Sequence, residues 1–473
     1  MPHTCPDPDF LASARTPDSD VFPLAGFDDW FARAVRRHHF VTEQIPFAKL
    51  EKWSFDPATG NLRHDTGRFF TVEGLSVSTS FDGERHWSQP ILHQPEVGFL
   101  GIIARRIRGV LHFLMQAKME PGNLNTIQLS PTLQATKSNY TRAHQGRTPR
   151  HLEHFYESRD RRVLADSLQS EQGGRFFRKR NRNIVIDVPE DRPLEPSEDH
   201  IWLTLGQIHR LLARDNVVNM DARTVLSTLS FHRDAAFRAP AEPAARHSLD
   251  HLISWFTEMK CRYRLDAHCI PLSQVTDWRK DEFRIHHPEG GRFEVIAMRI
   301  EAGNREVPAW TQPLVKPCAQ GLLAFLVREF DGVPHLLVQA RVESGNFDVV
   351  ELAPTVQSLP GDAEGLGPNA IPHFRDVVLS APPADILHDT LQSEEGGRFY
   401  NDQNRNLIVR APADFPSDLP DHFRWITPWQ LKALVRHSNV LNVQCRCLLA
   451  CYDAGGAACP PPGATLLSPR PHA

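Results

Sequence analysis

The pattern of hydrophobic and polar positions occurs twice along the chain, and in each half it changes from helical spacing to the alternation of strands. Helical spacing of apolar residues comes first, with Trp30, Phe31 and Ala34 on one face. Alternation of apolar and polar residues follows and predicts strands, including hairpins around Arg108-Gly109 and Asp331-Gly332. The first predicted elements of the two halves are helices at 27–40 and 249–259, strands at 69–77 and 293–300, hairpins at 101–115 and 321–339, and short strands at 127–129 and 349–352.

A second set of elements follows a polar insertion in each half, at residues 137–150 and 361–372. Glycine pairs stand where a helix would end with its C-terminal cap, at Gly173-Gly174 and Gly396-Gly397. The predicted elements are helices at 152–172 and 384–395, strands at 183–188 and 406–410, and last helices at 205–213 and 428–435.

A segment of nine residues, 168–176, occurs almost unchanged at 391–399, an offset of 223 residues. Other pairs share this offset, among them Trp87 with Trp310 and Glu120 with Glu343. The chain is therefore a tandem duplication of an α+β unit, and each copy is large enough to be a domain. The boundaries expected are a disordered N-terminus at 1–20, copy 1 at 21–235, a Pro-rich linker at 236–247, copy 2 at 248–454 and a disordered tail at 455–473.

Composition narrows the class of protein. The 473 residues carry a formal net charge of −4, which argues against nucleic acid or an anionic membrane as the main partner. The N-terminus shows no signal peptide, and no apolar run suggests a membrane span, so a cytoplasmic location is expected. The eight cysteines form no disulfide framework, and Cys445, Cys447 and Cys451 are interpreted as small core residues of a helix.

Repeated polar residues are the candidates for chemistry, because packing alone does not explain them; a shared pocket and a shared buried hydrogen-bond network are both open. Trp87 and Gln89 could stack on a nucleobase and bond its edge, although a core tryptophan before a turn is the simpler interpretation. Gln116, Lys118 and Glu120 share one strand face, which suits a diphosphate or a sugar hydroxyl, or is a solvated face with an ion pair.

Cations cluster after the first glycine pair. Arg175 could reach a phosphate through two hydrogen bonds, and Ser170 precedes it by five residues. Arg178 and Arg182 make copy 1 more basic here than copy 2, so copy 1 is favoured for the more anionic ligand. The chain contains no GxGxxG, P-loop, GxSxG or HExxH pattern.

On these segments the chain resembles the NDP-4-keto-6-deoxyhexose 2,3-dehydratases of deoxysugar antibiotic pathways. The resemblance extends over about residues 21–453, and its clearest segments are 164–173, 178–183, 216–226, 391–400 and 441–451. It implies two tandem Nudix-like domains in each subunit of a homodimer. A Nudix helix ends in Arg-Glu-Leu-x-Glu-Glu-x-Gly, and residues 166–173 and 389–396 would be the corresponding helix with most magnesium-binding glutamates replaced. We therefore expect the fold without its metal.

The reaction implied by the resemblance is loss of water across C2 and C3 of a nucleotide-bound 4-keto-6-deoxy sugar, most simply dTDP-4-keto-6-deoxyglucose. The C4 ketone accepts the electrons, so no cofactor is expected. The product is a 3,4-diketo-2,6-dideoxy sugar, on which a 3-ketoreductase would act next.

The roles implied by the resemblance are assigned to the candidate residues. Glu120 or Tyr140 would be the acid or base, with Lys118 and Gln116 on the enolate or sugar hydroxyls. A loop histidine such as His64, His86 or His93 is an alternative base. The ligand-binding residues in copy 1 would be Trp87, Gln89, Ser170, Arg175, Arg178 and Arg182. Copy 2 could bind the same nucleotide through Trp310, Arg341 and Arg398. Two other functions stay open, a metal-dependent Nudix-type hydrolase of nucleotide sugars and a non-catalytic nucleotide-sugar binding protein.

Overall fold

The computed structural model describes residues 8–136, 149–156, 162–229, 245–303, 307–358 and 372–454. Within these ranges the helices are α1 Pro8–Ala14, α2 Phe27–Arg37, α3 Leu152–Tyr156, α4 Leu205–Leu212, α5 Met220–Ser227, α6 Leu249–Arg262, α7 Arg375–Leu379, α8 Pro428–Leu434 and α9 Val443–Ala454. The strands of copy 1 are β1 Phe40–Ile45, β2 Trp53–Phe55, β3 Leu62–His64, β4 Thr71–Thr79, β5 Arg85–His93, β6 Gly98–Ile107, β7 Val110–Met119, β8 Ile127–Ser130, β9 Leu133–Ala135, β10 Arg162–Ser170, β11 Arg180–Asp187 and β12 His200–Leu203. Those of copy 2 are β13 Leu265–Ile270, β14 Arg279–Lys280, β15 Arg284–His286, β16 Phe293–Ala302, β17 Ala309–Pro317, β18 Gly321–Phe330, β19 Val333–Arg341, β20 Glu351–Pro354, β21 Val356–Ser358, β22 Ile386–Ser393, β23 Gln403–Arg410 and β24 Phe423–Ile426.

The α+β class is confirmed, and each copy builds one large and one small sheet. The large sheet of copy 1 runs β10-β11-β6-β7-β12, with β8 on β7 and β9 on β6, and copy 2 repeats this order. The hairpin β6–β7 turns at Arg108 and Gly109, both with positive φ, as the sequence predicts. In this sheet β11 runs parallel to β6, with Asn181 opposite Gly98.

The small sheets exchange strands between the copies. Strand β1 of copy 1 pairs with β16 of copy 2, from Phe40 opposite Ala302 to Ile45 opposite Ala297. Strand β13 of copy 2 pairs in turn with β4 of copy 1, from Leu265 opposite Thr79 onward. Each copy therefore completes the other's sheet, which the repeat pattern alone did not predict.

This exchange predicts that neither half folds alone. A chain of residues 1–235 would lack β13 and expose one backbone edge of β4, a hydrogen-bonding edge that promotes aggregation. Expressed separately, the two halves should be aggregated in size-exclusion chromatography, whereas co-expression should give one soluble complex of both. A monomeric 1–235 fragment with a cooperative thermal transition would contradict this prediction.

The core continues from one copy into the other. Helices α5 and α9 pack against each other, and a single buried cluster contains Val225 of α5 together with Leu448 of α9. Cys445, Cys447 and Cys451 lie buried in α9, as expected of small core residues. No helix among the described residues has both the length and the apolar character needed to cross a membrane.

Three predictions of local structure are wrong. The helix predicted over 152–172 is only α3, and the segment before Gly173 is strand β10; likewise β22 replaces the helix predicted over 384–395. Each of these strands pairs with β11 or β23 over its length, so tertiary pairing overrides the helical spacing. The N-terminus is ordered from residue 8, because Phe10 of α1 is buried and Ser13 Oγ donates to Leu111 O at 2.6 Å.

Because β10 and β22 are strands, the predicted correspondence of residues 166–173 and 389–396 to a Nudix helix without its magnesium ligands is also wrong. Residues 166–173 and 389–396 lie on strands and in the turns after them, so they are not a helix that lost its glutamates.

Candidate functional site

The glycine pairs Gly173-Gly174 and Gly396-Gly397 each contact the turn that follows β19 or β7 of the other copy. Gly122 N donates to Gly396 O and Gly345 N donates to Gly173 O, both at 2.7 Å. A side chain on Gly122 would place its Cβ 1.5 Å from Phe399 O, so only glycine fits this contact. The repeated glycines thus join the copies about a pseudo-twofold axis instead of capping helices.

On the copy 1 side of this junction, Lys118 at the end of β7 and Glu120 directly after this strand lie in one buried hydrogen-bond network. Lys118 Nζ donates to Gln134 O at 2.9 Å, and Gln134 Nε2 donates to Glu120 Oε1 at 2.6 Å. Asn219, at the start of α5, lies 3.4 Å from Glu120 Oε2 through its Nδ2. The amides of Gln134 and Asn219 therefore set the orientation of the Glu120 carboxyl group.

Copy 2 contributes residues to the same place. A Cβ at Gly397 would lie 3.0 Å from Glu395 Oε1 and 3.7 Å from Glu120 Oε1, so both carboxyl groups face one small space. Arg398 Nη1 donates to Gly397 O at 2.8 Å, and its guanidinium stacks on Phe70 of copy 1 at 4.3 Å. We define site 1 as Lys118, Glu120, Lys179, Asp221, Glu395 and Arg398.

The surroundings of site 1 raise the pKa of two of its carboxyl groups, those of Asp221 and Glu395. Burial, with added repulsion from Glu395 and Glu120, raises the pKa of Asp221 well above its ordinary value. Burial also raises the pKa of Glu395, where Glu120 again adds repulsion. Burial lowers the pKa of Lys179, although Glu171 opposes that shift. A cluster of ionisable groups whose pKa values are shifted by burial and by neighbouring charges is typical of acid–base sites.

The offset of 223 residues maps site 1 onto a second cluster with different chemistry. We define site 2 as Arg341, Glu343, Asp402, Gln444, Gln172 and Arg175, in the same order as site 1. Its Gln357 Nε2 donates to Glu343 Oε1 at 2.6 Å, as Gln134 does to Glu120. Yet Gln444 replaces Asp221 and Gln172 replaces Glu395. An amide has nearly the shape of a carboxyl group, but its nitrogen donates hydrogen bonds where a carboxylate oxygen accepts them, and it does not act as an acid or base at neutral pH.

The other copy 1 candidates lie in several places. Gln116 is half-buried on β7, on the same face as Lys118. Trp87 and Trp310 are half-buried, and each indole donates to a glutamine two residues on, at 2.9 Å to Gln89 and 3.1 Å to Gln312. Gln89 Nε2 donates in turn to Gly174 O at 3.1 Å, so this amide helps to fix the turn at Gly173-Gly174.

The cations after the first glycine pair do not form one cluster. Arg175 belongs to site 2 and stacks on Phe293 of copy 2 at 4.3 Å. Arg178 is exposed, and Arg182 bonds Asp166 on the neighbouring strand through Nε at 2.8 Å. Ser170 is buried and its Oγ donates to Glu351 at 2.6 Å. Tyr140 lies outside the described residues.

A histidine pair on the sheet face of Gln116 was missed. His151 and His200 meet edge to face with ring centroids 5.0 Å apart, and the equivalent pair in copy 2 is Phe374 and Phe423 at 5.1 Å. Burial lowers the pKa of His151 to about 4 and that of His200 to about 3, so both imidazoles are neutral at pH 7. This pair, as well as Asp221 and Glu395, could have been found by a search for ionisable residues whose counterparts in the other copy cannot ionise.

Two groups in the described residues have the spacing of metal ligands. They are Glu73 with His93 and Cys269, and His151 with Glu153 and His154. Neither group includes a residue of site 1 or site 2.

A family model described as NDP-hexose 2,3-dehydratase matches residues 24–229 and 249–452. The chain belongs to the NDP-hexose 2,3-dehydratase family. Three curated relatives carry the name dTDP-4-dehydro-6-deoxy-alpha-D-glucopyranose 2,3-dehydratase. That of Saccharopolyspora spinosa is 47% identical over 93% of both chains. That of Amycolatopsis orientalis is 46% identical over 94% of this chain and 93% of its own. That of Streptomyces violaceoruber is 45% identical over 91% of this chain and 97% of its own.

Membership of the 2,3-dehydratase family agrees with the resemblance found from the sequence. The family model also matches the chain in two repeated regions, as the duplication requires.

Proposed function

We propose that the chain is a dTDP-4-keto-6-deoxyglucose 2,3-dehydratase and that site 1 is its active site. The names of the three relatives, each about as long as this chain, support the substrate and the reaction. The observation that favours site 1 is the replacement of its Asp221 and Glu395 by glutamines in site 2, because elimination of water requires proton transfer.

The reaction begins with removal of the C3 proton, which the C4 ketone makes acidic. In this proposal Glu120 is the base, held by Gln134 and Asn219, and the electron pair moves to the C4 oxygen. Lys118, with Gln116 beside it on β7, stabilises that enolate oxygen. Loss of the C2 hydroxyl then gives an enol, which becomes the 3,4-diketo sugar.

The remaining roles follow from charge and position. Arg398 and Lys179 would bind the diphosphate. Arg398 lies beside Gly397, and the carboxyl groups around Lys179 favour its charged form, although burial opposes it. Stacking of Trp87 on the nucleobase stays a prediction. Gln89 bonds both Trp87 and the carbonyl of Gly174, which favours a role in positioning the turn at Gly173-Gly174. Arg175, Arg341 and Trp310 would belong to a second nucleotide site around site 2.

Further parts of the proposal rest on the family resemblance. They are a Nudix-like fold for each copy, a homodimer, a cytoplasmic location, a role in antibiotic deoxysugar biosynthesis, and a 3-ketoreductase that consumes the unstable product. The limits given above for the two copies, the linker and the tail are part of the same proposal.

The test is incubation of the chain with dTDP-4-keto-6-deoxyglucose, a 3-ketoreductase and its reductant, with EDTA present. A dTDP-linked 2,6-dideoxy sugar is the expected product. Release of dTMP only after magnesium is added would support the hydrolase instead. Binding of the sugar without any turnover would support the non-catalytic alternative.

A further inference from the structure

Two acidic residues, one from each copy, lie near each other at site 1. At site 2, Gln172 Nε2 donates to the Glu394 carboxylate. The offset of 223 residues maps these two residues onto Glu395 and Glu171. The positions that form an amide–carboxylate hydrogen bond in one half of the molecule therefore hold two acids in the other, and Glu395 lies near enough for its charge to act on Glu171.

Two neighbouring carboxyl groups favour a state in which only one of them is ionised, because the charges of two carboxylates repel each other strongly. Burial together with the charge of Glu395 raises the pKa of Glu171 to about 8. Asn181 Nδ2 donates to Glu171 Oε1 at 2.6 Å, and this bond holds Glu171 in place within the core. Both carboxyl groups therefore have a raised pKa, which favours retention of a proton by the pair.

Glu395 is the member of the pair that reaches the reaction. The Glu395 side chain lies deep among protein atoms but keeps some solvent-accessible surface, whereas Glu171 is buried. Its Oε1 shares the space beside Gly397 with Glu120. Asp221, also directed toward this cluster, is buried and its Oδ1 has no hydrogen-bond partner among the described residues. An unpartnered buried oxygen beside an acid is suited to bind a sugar hydroxyl.

We infer that Glu395, carried by copy 2, is the general acid of site 1 and delivers the proton that it shares with Glu171 to the departing C2 hydroxyl. This inference rests on the proposed function. Glu120 takes the C3 proton, the C–H electron pair forms the enolate, and the enolate then expels the C2 oxygen. That oxygen takes the proton of Glu395 and leaves as water. Glu120 ends protonated and Glu395 ionised, and passage of one proton from Glu120 back to Glu395 restores both.

Glu395→Gln tests this step, and the fold should accept it because site 2 carries glutamine at the same position. The variant should lose about 10²-fold or more in kcat for water loss, the usual contribution of a general acid. Its affinity for the dTDP-sugar, measured by calorimetry, should change little. Because Glu120 is intact, deuterium at C3 of the substrate should still exchange with water.

The control is Glu394→Gln, the same chemical change at the site 2 counterpart of Glu171. It should leave kcat within about threefold of the parent chain, since no proton transfer depends on it. If Glu395→Gln keeps the parent kcat while the parent is active, the inference is wrong and the proposed function stands. An inactive parent chain would instead overturn the proposed function itself. Loss of C3 exchange together with water loss in Glu395→Gln would contradict a role limited to the acid step.

Discussion

Glu120→Gln should lower kcat for dehydration by about 10²- to 10⁴-fold, the range expected when a general acid or base is removed. The substitution keeps the side-chain length and an oxygen that can accept from Gln134, so the local fold should persist. The carboxylate that accepts the C3 proton is lost. Exchange of C3 deuterium with water should therefore stop as well, in contrast to Glu395→Gln.

Glu343→Gln is the matched control for Glu120→Gln. Glu343 accepts a hydrogen bond from Gln357 at 2.6 Å, just as Glu120 does from Gln134. Because site 2 lacks the carboxyl groups of Asp221 and Glu395, this variant should retain most of the parent kcat. Equal losses in both variants, measured under saturating substrate, would show that the two sites do not differ in chemistry.

Arg446→Met should destabilise the whole chain by about 3–5 kcal/mol, the cost of leaving a buried charge network without its cation. Arg446 is fully buried on α9. Its Nε donates to Thr224 Oγ1 at 2.8 Å and its Nη2 to Ser170 O at 2.5 Å, both in copy 1. Glu171 and Glu351 lie close enough to interact with its charge. The substitution therefore removes several bonds between the copies at once.

Arg405→Met is the comparison for this effect, because Arg405 also pairs with a carboxylate but at the surface. Its Nε donates to Asp389 at 2.9 Å, and both side chains are 39% exposed. Loss of such a pair should cost about 0–1 kcal/mol. Urea unfolding of both variants measures the difference, and similar midpoints would contradict the importance assigned to Arg446.

Local periodicity was sufficient for some elements but not for those that pair over long distances. The hairpin at Arg108-Gly109 and helix α4 follow from turn chemistry and apolar spacing, and both were predicted. Strand β10 was not, because its pairing with β11 lies outside any short window. The exchange of β1 and β13 was also not predicted, since each copy has the same strands whether or not they are exchanged.

The candidate site was predicted in part for a similar reason. Lys118 and Glu120 were identified because both copies keep a cation and an acid there, and the structure places them in one network. Asp221, Glu395 and the His151–His200 pair differ between the copies, so a search for repeated residues passed over them. Divergence between the copies identifies these residues, whereas repetition identifies the shared scaffold.

The fate of deuterium placed at C3 of dTDP-4-keto-6-deoxyglucose tests the central proposal most directly. The substrate is incubated with the parent chain and EDTA, the product is trapped with a 3-ketoreductase and unlabelled reductant, and mass spectrometry follows both the label and the nucleotide. If site 1 eliminates water, the trapped sugar has lost its C2 oxygen and its C3 deuterium and is still bound to dTDP. Recovery of the labelled substrate intact, or cleavage of the diphosphate in place of water loss, would contradict the proposal.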